Sequence, residues 1–270
     1  AVGQLIIAEP MSVDYKSEVA IANLSQMILR AEITDTQKAQ LHYERGIRYD
    51  SVGLSSLARL DFNLALRLKP DLAEAHNFIG IHYTQLQQFD QAYESFDATI
   101  DLAPAHQYAY FNRGIALYYG GRATLATEDI TTFYENDTTE PYRILWLYIA
   151  EQEIDAELAK TNLAIRSQNV SNDIWAKDII DLYLGKLSQS EFLQRLPSGV
   201  KSSKELTERL CEAYFYVGKY NQFNQQLNAA ANFFKLAMGT NVYEFVEHRY
   251  AKLELELMRA EYQRAAASKS

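Results

Sequence analysis

The sequence predicts an all-α fold built from stacked pairs of helices, and three observations support this prediction. Only 11 glycines and 5 prolines occur among 270 residues, which favours long helices with short connections over strands joined by many turns. Hydrophobic residues make up 48% of the chain, which is enough for a substantial core. A constant period also runs through the chain, because Gly46, Gly80 and Gly114 follow one another at intervals of 34 residues.

The 34-residue period holds in several further columns. Alanine recurs at positions 58, 92 and 126, and Pro70 is followed by Pro104. Large apolar side chains fill two more columns, Tyr49, Tyr83 and Leu117 in one and Phe62, Phe96 and Ile130 in the other. Agreement among several independent columns indicates a structural repeat.

These columns resemble the tetratricopeptide repeat (TPR), in which each unit is a pair of helices, A and B. The TPR pattern has a small residue at position eight, an aromatic residue at eleven, alanine at twenty, an aromatic residue at twenty-four and proline at thirty-two. Three units follow, over residues 39–72, 73–106 and 107–140. The resemblance implies that glycine and alanine are present so that helix A can pack closely on helix B. Without such a reason, glycine inside a helix costs about 1 kcal/mol relative to alanine.

Local signals agree with these units. Thr34 and Gln37 have the spacing of a capping box before the first helix A, and Asp71 is the predicted cap of the second. Gly53 and Gly121 both fall at position fifteen, where helix A must end and turn. Residues 17–30 have apolar residues at helical spacing, which predicts an N-terminal helix that is either a cap of the array or a dimer contact.

The pattern weakens after residue 140 and returns near the C-terminus. Tyr148 and Lys160 stand where glycine and alanine are expected, while Ser171 and Ser188 are predicted caps of two further helices. One more unit is predicted from five residues at the expected positions, Tyr214, Gly218, Ala230, Phe234 and Ala237. Residues 242–264 are predicted to form a long helix that covers the last apolar face of the array.

The predicted architecture is therefore a TPR-type helical solenoid in four parts. Residues 1–38 form an N-terminal helical extension, and residues 39–140 hold the three TPR units. Residues 141–203 form an irregular helical middle, and residues 204–270 hold the last unit and a long C-terminal capping helix.

Composition and motifs disfavour several classes of function. The net charge of −9 would repel a phosphate backbone, so nucleic acid is not an expected partner. Cys211 is the only cysteine and the five histidines lack metal-ligand spacings, so we predict no internal disulfide, no metal and no other cofactor. The sequence contains no hydrolase, phosphate-binding or dinucleotide-binding motif. We therefore expect no catalytic residues and no enzyme activity.

The remaining candidate for function is a surface. In TPR arrays the A helices line a concave groove, and positions two, five, nine, twelve and thirteen face it. Here those positions supply an aromatic and aliphatic lining, namely Tyr43, Ile47, Asn77, Ile81, Tyr108, Phe111, Ile115, Tyr118 and Tyr119. Such a lining suits an apolar stripe on a partner helix or an extended peptide. The alternative for any single residue is that it packs against the neighbouring unit.

One known binding mode of TPR domains is disfavoured. TPR domains that hold a C-terminal carboxylate use lysine, arginine and asparagine side chains from three A helices. The corresponding positions here carry Tyr43, Ile47, Phe78, Tyr108 and Asn112. The cationic part of that clamp is missing.

Three segments resemble a narrower family. They are LHYERGIRYDSVGL (41–54), NRGIALYYGGR (112–122) and FVEHRYAKLEL (245–255). Together with the order of the units, they are similar to the NlpI family of outer-membrane lipoproteins of Gram-negative bacteria. The similarity spans roughly residues 17–258 and is weak in residues 1–16 and in the tail.

The resemblance implies a homodimer on the periplasmic side of the outer membrane, tethered through a lipidated N-terminal cysteine. It also implies an adaptor that brings murein endopeptidases of the MepS type to a tail-specific protease of the Prc type and organises other peptidoglycan hydrolases. This sequence has no cysteine at its N-terminus. We therefore expect a soluble form cut after the lipidation signal, with membrane attachment only through an N-terminal lipid that this chain lacks.

Two alternatives remain open. The first is a hydrolase in the irregular middle, residues 141–196, which predicts turnover of a peptide or muropeptide by the purified chain alone. The second is a TPR co-chaperone for secreted clients, which predicts suppressed aggregation of unrelated unfolded proteins.

Overall fold

The structure, a computed structural model, describes residues 5–30 and 32–267. Fourteen α-helices and no strand occur in these described residues. The helices are α1 (Tyr15–Ile28), α2 (Asp35–Ser51), α3 (Ser55–Leu68), α4 (Ala73–Gln85), α5 (Phe89–Leu102), α6 (Gln107–Tyr119), α7 (Ala123–Glu135), α8 (Pro141–Gln152), α9 (Ala156–Arg166), α10 (Lys177–Tyr183), α11 (Gln189–Arg195), α12 (Ser203–Phe223), α13 (Leu227–Met238) and α14 (Val246–Ala267). The predicted all-α, TPR-type solenoid is confirmed.

The chain divides into two compact units. We call residues 13–180 the repeat unit, and residues 181–267 together with the segment 5–12 the C-terminal unit. In the repeat unit, α2 pairs with α3, α4 with α5, and α6 with α7, as helices A and B of the three predicted units. In the C-terminal unit, α12 pairs with α13 in the same way, and α14 packs on both of them.

The glycine column lies where helix A touches helix B. A methyl group on Gly80 would lie 2.6 Å from the Phe96 ring, and one on Gly218 would lie 2.5 Å from the Phe234 ring. Gly46 and Gly114 have the same relation to Phe62 and Ile130, at 2.7 and 2.6 Å. These distances are far inside van der Waals contact, so any larger side chain would force the two helices apart. The explanation of the mid-helix glycines is confirmed in all four pairs.

In the four pairs α2–α3, α4–α5, α6–α7 and α12–α13, the turn uses one residue in the left-handed backbone region. Gly53 has φ of 80° and Gly121 has φ of 74°, as the sequence predicts for position fifteen. In the other two pairs the same position holds a glutamine, Gln87 with φ of 59° and Gln225 with φ of 60°. The turn conformation is therefore retained even where glycine, the residue that adopts it at least cost, is absent.

Ion pairs also join helix A to helix B. The Arg45 guanidinium donates to both carboxylate oxygens of Asp61, at 2.6 and 2.7 Å. Arg113 makes the equivalent pair with Asp129 at 2.7 and 2.8 Å. Such two-pronged hydrogen bonds between charged groups are among the stronger ones in proteins. The middle TPR unit has no such pair, because Ile79 and Ser95 occupy the two positions.

The pair α8 and α9 departs from the repeat by one residue. In the three preceding units helix B begins four residues after the last residue of helix A, as from Tyr119 to Ala123. The same interval separates the end of α8 at Gln152 from the start of α9 at Ala156. However, α8 ends at position twelve of its frame and the preceding A helices end at position thirteen. The buried residues of α9 are accordingly Ala159 and Leu163, each one position earlier than the frame predicts.

This shift explains the irregular residues of the fourth frame. Lys160, in the predicted alanine column, is exposed, and Ala159 beside it is fully buried. Tyr148, in the glycine column, is buried with 5% of its surface exposed. The helical pair is thus retained without the small residue of the TPR pattern.

The segment 5–12 and the first half of α14 are tied to the rest of the C-terminal unit by hydrogen bonds. The Met11 amide donates to the Thr240 carbonyl at 2.8 Å, and the Thr207 hydroxyl donates to the Glu9 carbonyl at 3.0 Å. On α14, the Glu254 carboxylate accepts from the Lys219 ammonium of α12 at 2.7 Å, and both side chains are almost completely buried.

Several predicted boundaries differ from the structure. The capping boxes at Thr34 and Ser188 are confirmed, but Asp71 makes no side-chain cap, because α4 begins at Ala73 with Leu72 as its cap. The helix predicted after Ser171 begins only at Lys177. The first and last helices cover Tyr15–Ile28 and Val246–Ala267, each displaced by a few residues from the prediction.

Candidate functional site: the exposed face of the A helices

The nine predicted groove residues lie on α2, α4 and α6, and five of them reach the surface. Tyr108 is 57% exposed. Tyr43, Ile47, Tyr118 and Tyr119 are partly exposed. The other four are buried, with exposed fractions of 6% or less, namely Asn77, Ile81, Phe111 and Ile115. The accessible part of the candidate surface is thus formed by α2 and by the two ends of α6.

The buried members of the set hold neighbouring units together. The Asn112 amide donates to the Asn77 side-chain oxygen at 3.1 Å, which links α6 to α4. The Phe111 ring stacks on Phe133 with centroids 4.4 Å apart and meets the edge of Trp146. For these residues, packing against a neighbour is what the structure shows, and their contact with a partner stays a prediction.

Tyr43 is the central accessible residue on α2. Its ring lies 6.0 Å from Phe62 and 6.2 Å from Phe78, measured between centroids. Burial, together with the smaller effect of the negative charges of Glu74 and Glu44, raises the pKa of Tyr43 to about 12. The phenol therefore keeps its proton at physiological pH and remains a hydrogen-bond donor.

Three of the predicted groove tyrosines lie at the two ends of α6. At its C-terminal end, Tyr118 and Tyr119 meet edge to face, with ring centroids 4.9 Å apart. At its N-terminal end, Tyr108 lies against Phe133 at 5.3 Å. Tyrosine offers a large rigid contact area together with a polar tip, and it is enriched in protein interfaces for this reason.

Three histidine–carboxylate pairs each include at least one residue of helix α2 or α4, and the sequence analysis did not predict them. His82 Nε2 lies 3.2 Å from Asp50, although its geometry falls short of a well-formed hydrogen bond. His106 Nε2 lies 3.1 Å from Glu74, and His42 Nδ1 lies 2.8 Å from the carboxylate of Asp61.

The first two pairs join consecutive A helices, because Asp50 is on α2 and His82 on α4, while Glu74 is on α4 and His106 caps the start of α6. In each, the histidine follows the acidic residue by 32 residues, close to the repeat period. That recurring spacing is the signal in the sequence that could have predicted these contacts. They fix one A helix relative to the next, which gives them a structural role in the array.

The middle region, 141–196, has polar contacts of a structural kind. Glu151 of α8 accepts two hydrogen bonds from Arg166 of α9, at 2.7 and 2.8 Å. The buried Lys177 ammonium donates to the main-chain carbonyl of Ser167 at 3.0 Å, while the Ser167 hydroxyl donates to the Ala164 carbonyl. This lysine and serine therefore do not form the direct side-chain contact that would activate a serine nucleophile.

Two further properties concern only the part of the chain that the structure describes. In it, no three His, Cys, Asp or Glu side chains come together as a metal ion would require. Among the described helices, none combines the length and the apolar character needed to cross a bilayer.

Comparisons with known proteins support the fold. No protein-family profile matches the chain. Among solved structures, a tetratricopeptide repeat protein from Parabacteroides merdae is 16% identical, with 90% of this chain and 91% of that chain covered and a TM-score of 0.55. The C-terminal part of a TPR repeat-containing protein from Cytophaga hutchinsonii is 16% identical, with 83% and 90% covered and a TM-score of 0.52. MamA is 15% identical over 59% of this chain and 96% of its own, with a TM-score of 0.51. At these identities the likeness describes the fold alone.

Proposed function

We propose that this protein is a non-catalytic adaptor that binds other proteins through the accessible tyrosines of its A helices. The observation that carries the proposal is the exposure of Tyr43, Tyr108, Tyr118 and Tyr119 on α2 and α6, next to buried contacts that hold the units in register. A rigid array that presents partly exposed aromatic rings is suited to bind an apolar stripe on a partner.

The finer proposal is that the partners are a murein endopeptidase of the MepS type and a tail-specific protease of the Prc type. It rests on the resemblance of residues 41–54, 112–122 and 245–255 to the NlpI family. By the same resemblance we propose a homodimer at the periplasmic side of the outer membrane that also organises other peptidoglycan hydrolases. The mechanism is proximity, because two proteins held on one scaffold reach an effective concentration in about the millimolar range.

The test is a reconstituted degradation assay with the purified chain, the protease and the endopeptidase. The chain should accelerate loss of the endopeptidase, and the double variant Tyr118→Ala, Tyr119→Ala should weaken partner binding about 10-fold or more, as expected for aromatic contacts at the centre of an interface. A matched control is Leu60→Ala on α3, since Leu60 is 54% exposed on a B helix.

Three results would argue against parts of this proposal. Unchanged partner affinity in a folded Tyr118→Ala, Tyr119→Ala variant would exclude the α6 surface. Degradation that proceeds at the same rate without the chain would exclude the adaptor role. Turnover of a peptide or muropeptide by the chain alone would favour a hydrolase instead.

A further inference from the structure

An open groove lies in the C-terminal unit between α13 and the second half of α14. Its volume is about 490 Å³, within the roughly 300–1,000 Å³ that binding clefts usually have. Leu227 and Ala231 line it from α13, and Met258 and Tyr262 line it from α14. The groove is therefore large enough for several side chains and has apolar residues on both walls.

The apolar face of α14 continues beyond the part that the chain itself covers. Leu255, Met258, Tyr262 and Ala265 follow one another at intervals of three, four and three residues, which places them on one face of the helix. Leu255 is buried, whereas Tyr262 is 77% exposed. This spacing is that of a seam between packed helices, and its second half, from Tyr262 to Ala265, is exposed.

The sequence of α14 lacks the small residue that a further TPR helix would need for close packing in this groove. In the frame that follows the last unit, position eight is Lys252, and this residue is exposed. A lysine at that position does not allow the close contact that Gly218 makes with Phe234. A helix that lies in the groove must therefore pack along the seam of α14 in another way.

The charges beside the groove indicate the character of its ligand. Lys235 and Arg259 both line it, and neither takes part in an ion pair within residues 5–30 and 32–267. Glu261 is the one acidic residue in the lining. Two unpaired cations beside an apolar groove stand out in a chain with a net charge of −9. Carboxylates on either side of an apolar stripe would complement them.

We propose that this groove binds an acidic amphipathic α-helix from a partner protein. The seam from Leu255 to Ala265 has a length of about 15 Å, which matches about three helical turns of a ligand. The α14 helix of a second copy is a poorer match, because it brings Arg259 and Arg264 as well as its acidic residues to the same cations. The inference rests on the proposed adaptor function in taking the ligand to be a protein, and it adds a second binding site.

The experiment measures peptide binding to the full chain. The probes are helical peptides of about 14 residues, or four turns, that share one leucine stripe and carry either glutamate or lysine beside it. The chain carries Gln263→Cys, at the rim of the groove, labelled with an environment-sensitive dye. The native Cys211 is buried and burial raises the pKa of its thiol, so the introduced cysteine is the one that reacts.

We expect the glutamate peptide to bind at least about 10-fold more tightly than the lysine peptide, and to weaken as salt is added. The double variant Lys235→Glu, Arg259→Glu should reverse this preference, and Tyr262→Ala should weaken both peptides. The matched control changes the charge equally on exposed residues of the same unit, with Lys201→Glu and Lys204→Glu, and should leave both affinities unchanged.

Several outcomes would overturn the proposal. They are absence of binding by both peptides, equal affinity for the two, or an unchanged preference in the folded charge-reversed variant. Loss of self-association in Tyr262→Ala, measured by sedimentation without peptide, would identify a second copy as the occupant instead.

The result is independent of the adaptor assay. A chain with Tyr118→Ala and Tyr119→Ala should keep its full affinity for the glutamate peptide even if degradation of the endopeptidase is lost. Conversely, failure of peptide binding in a chain that still accelerates degradation would reject the groove and leave the adaptor function intact.

Discussion

The helical pairs α6–α7 and α8–α9 follow each other in the chain, and different residues pack the first helix of each pair against the second. In α6–α7 the first helix supplies Gly114 and the second supplies Ile130, which rests on it. In α8–α9 the first helix supplies a buried tyrosine, Tyr148, and the second packs through Ala159 and Leu163 after a shift of one residue. The glycine is therefore needed for one register of the two helices, and a pair in another register forms without it.

The largest expected effect tests this shift of register. Ile130 and Leu163 are both fully buried, whereas Ala164, which the repeat frame aligns with Ile130, is exposed. We expect Ile130→Ala and Leu163→Ala each to lower the free energy of unfolding by about 2–5 kcal/mol. The substitution Ala164→Ser should change it by less than about 0.5 kcal/mol. Urea denaturation followed by circular dichroism measures all three, and a large loss in Ala164→Ser would contradict the shifted register.

The next effect concerns the ion pairs that join the two helices. Arg113 of α6 binds Asp129 of α7, whereas in α8–α9 the charges are exchanged, with Glu151 on the first helix and Arg166 on the second. We expect Asp129→Asn and Glu151→Gln to cost about 1.5–3 kcal/mol each, because a hydrogen-bonded charge loses its partner. If Glu151→Gln has no effect in the same urea assay, apolar packing alone holds α8 on α9.

A smaller net effect is expected at the glycine itself. A methyl group on Gly114 would lie 2.6 Å from Ile130, and overpacking of this kind costs about 1–3 kcal/mol. Alanine is favoured over glycine in a helix by about 1 kcal/mol, so part of that cost is offset in Gly114→Ala. The contacting atom is Cγ1 of Ile130, so Gly114→Ala should cost less in a chain that already carries Ile130→Ala, which a double-mutant cycle measures. The control is Lys160→Ala in α9, where the exposed site should tolerate the change, and equal losses at both sites would refute the contact argument.

The smallest effect is a dependence on pH at the start of α8. Glu140 caps this helix by accepting a hydrogen bond from the Arg143 amide, and burial raises the pKa of Glu140 above its ordinary value. A raised pKa in the folded state means that its contribution to stability is present below the unfolded pKa and is lost as the pH rises through the folded pKa.

Glu140→Gln removes this titration and keeps a hydrogen-bond acceptor. We therefore expect the variant to gain stability relative to the original chain as the pH rises above about 4.3, the ordinary pKa of glutamate. Urea midpoints at several pH values measure the difference. A difference that is constant, or that favours glutamate as the pH rises, would contradict the assignment.

The sequence predicts the features that depend on local patterns. The period of 34 residues, the contact of Gly46 with Phe62 and the capping box at Thr34 all follow from residues that recur at fixed spacing. The shift in α8–α9 was missed because one fewer residue in helix A displaces every later column, and Lys160 then looks like a defect in the repeat.

The candidate site was predicted less completely, for a different reason. Position in the repeat identifies the A-helix face, and Tyr108 is indeed exposed there. Position in the repeat does not predict how much of each side chain is buried, since burial also depends on contacts with neighbouring helices. Phe111 and Ile115 are buried in this way, and the pair of His82 with Asp50 required two helices to be placed side by side.

The segment 5–12 has a consequence for the order in which the chain acquires its structure. Its hydrogen-bond partners include Thr207, which is synthesised 198 residues after Glu9, and Thr240, which follows later still. The repeat unit can fold during translation as its helices emerge. Segment 5–12 lacks these partners until they are made, so a nascent chain arrested before α12 should leave it open to proteases, and synthesis beyond Thr240 should protect it.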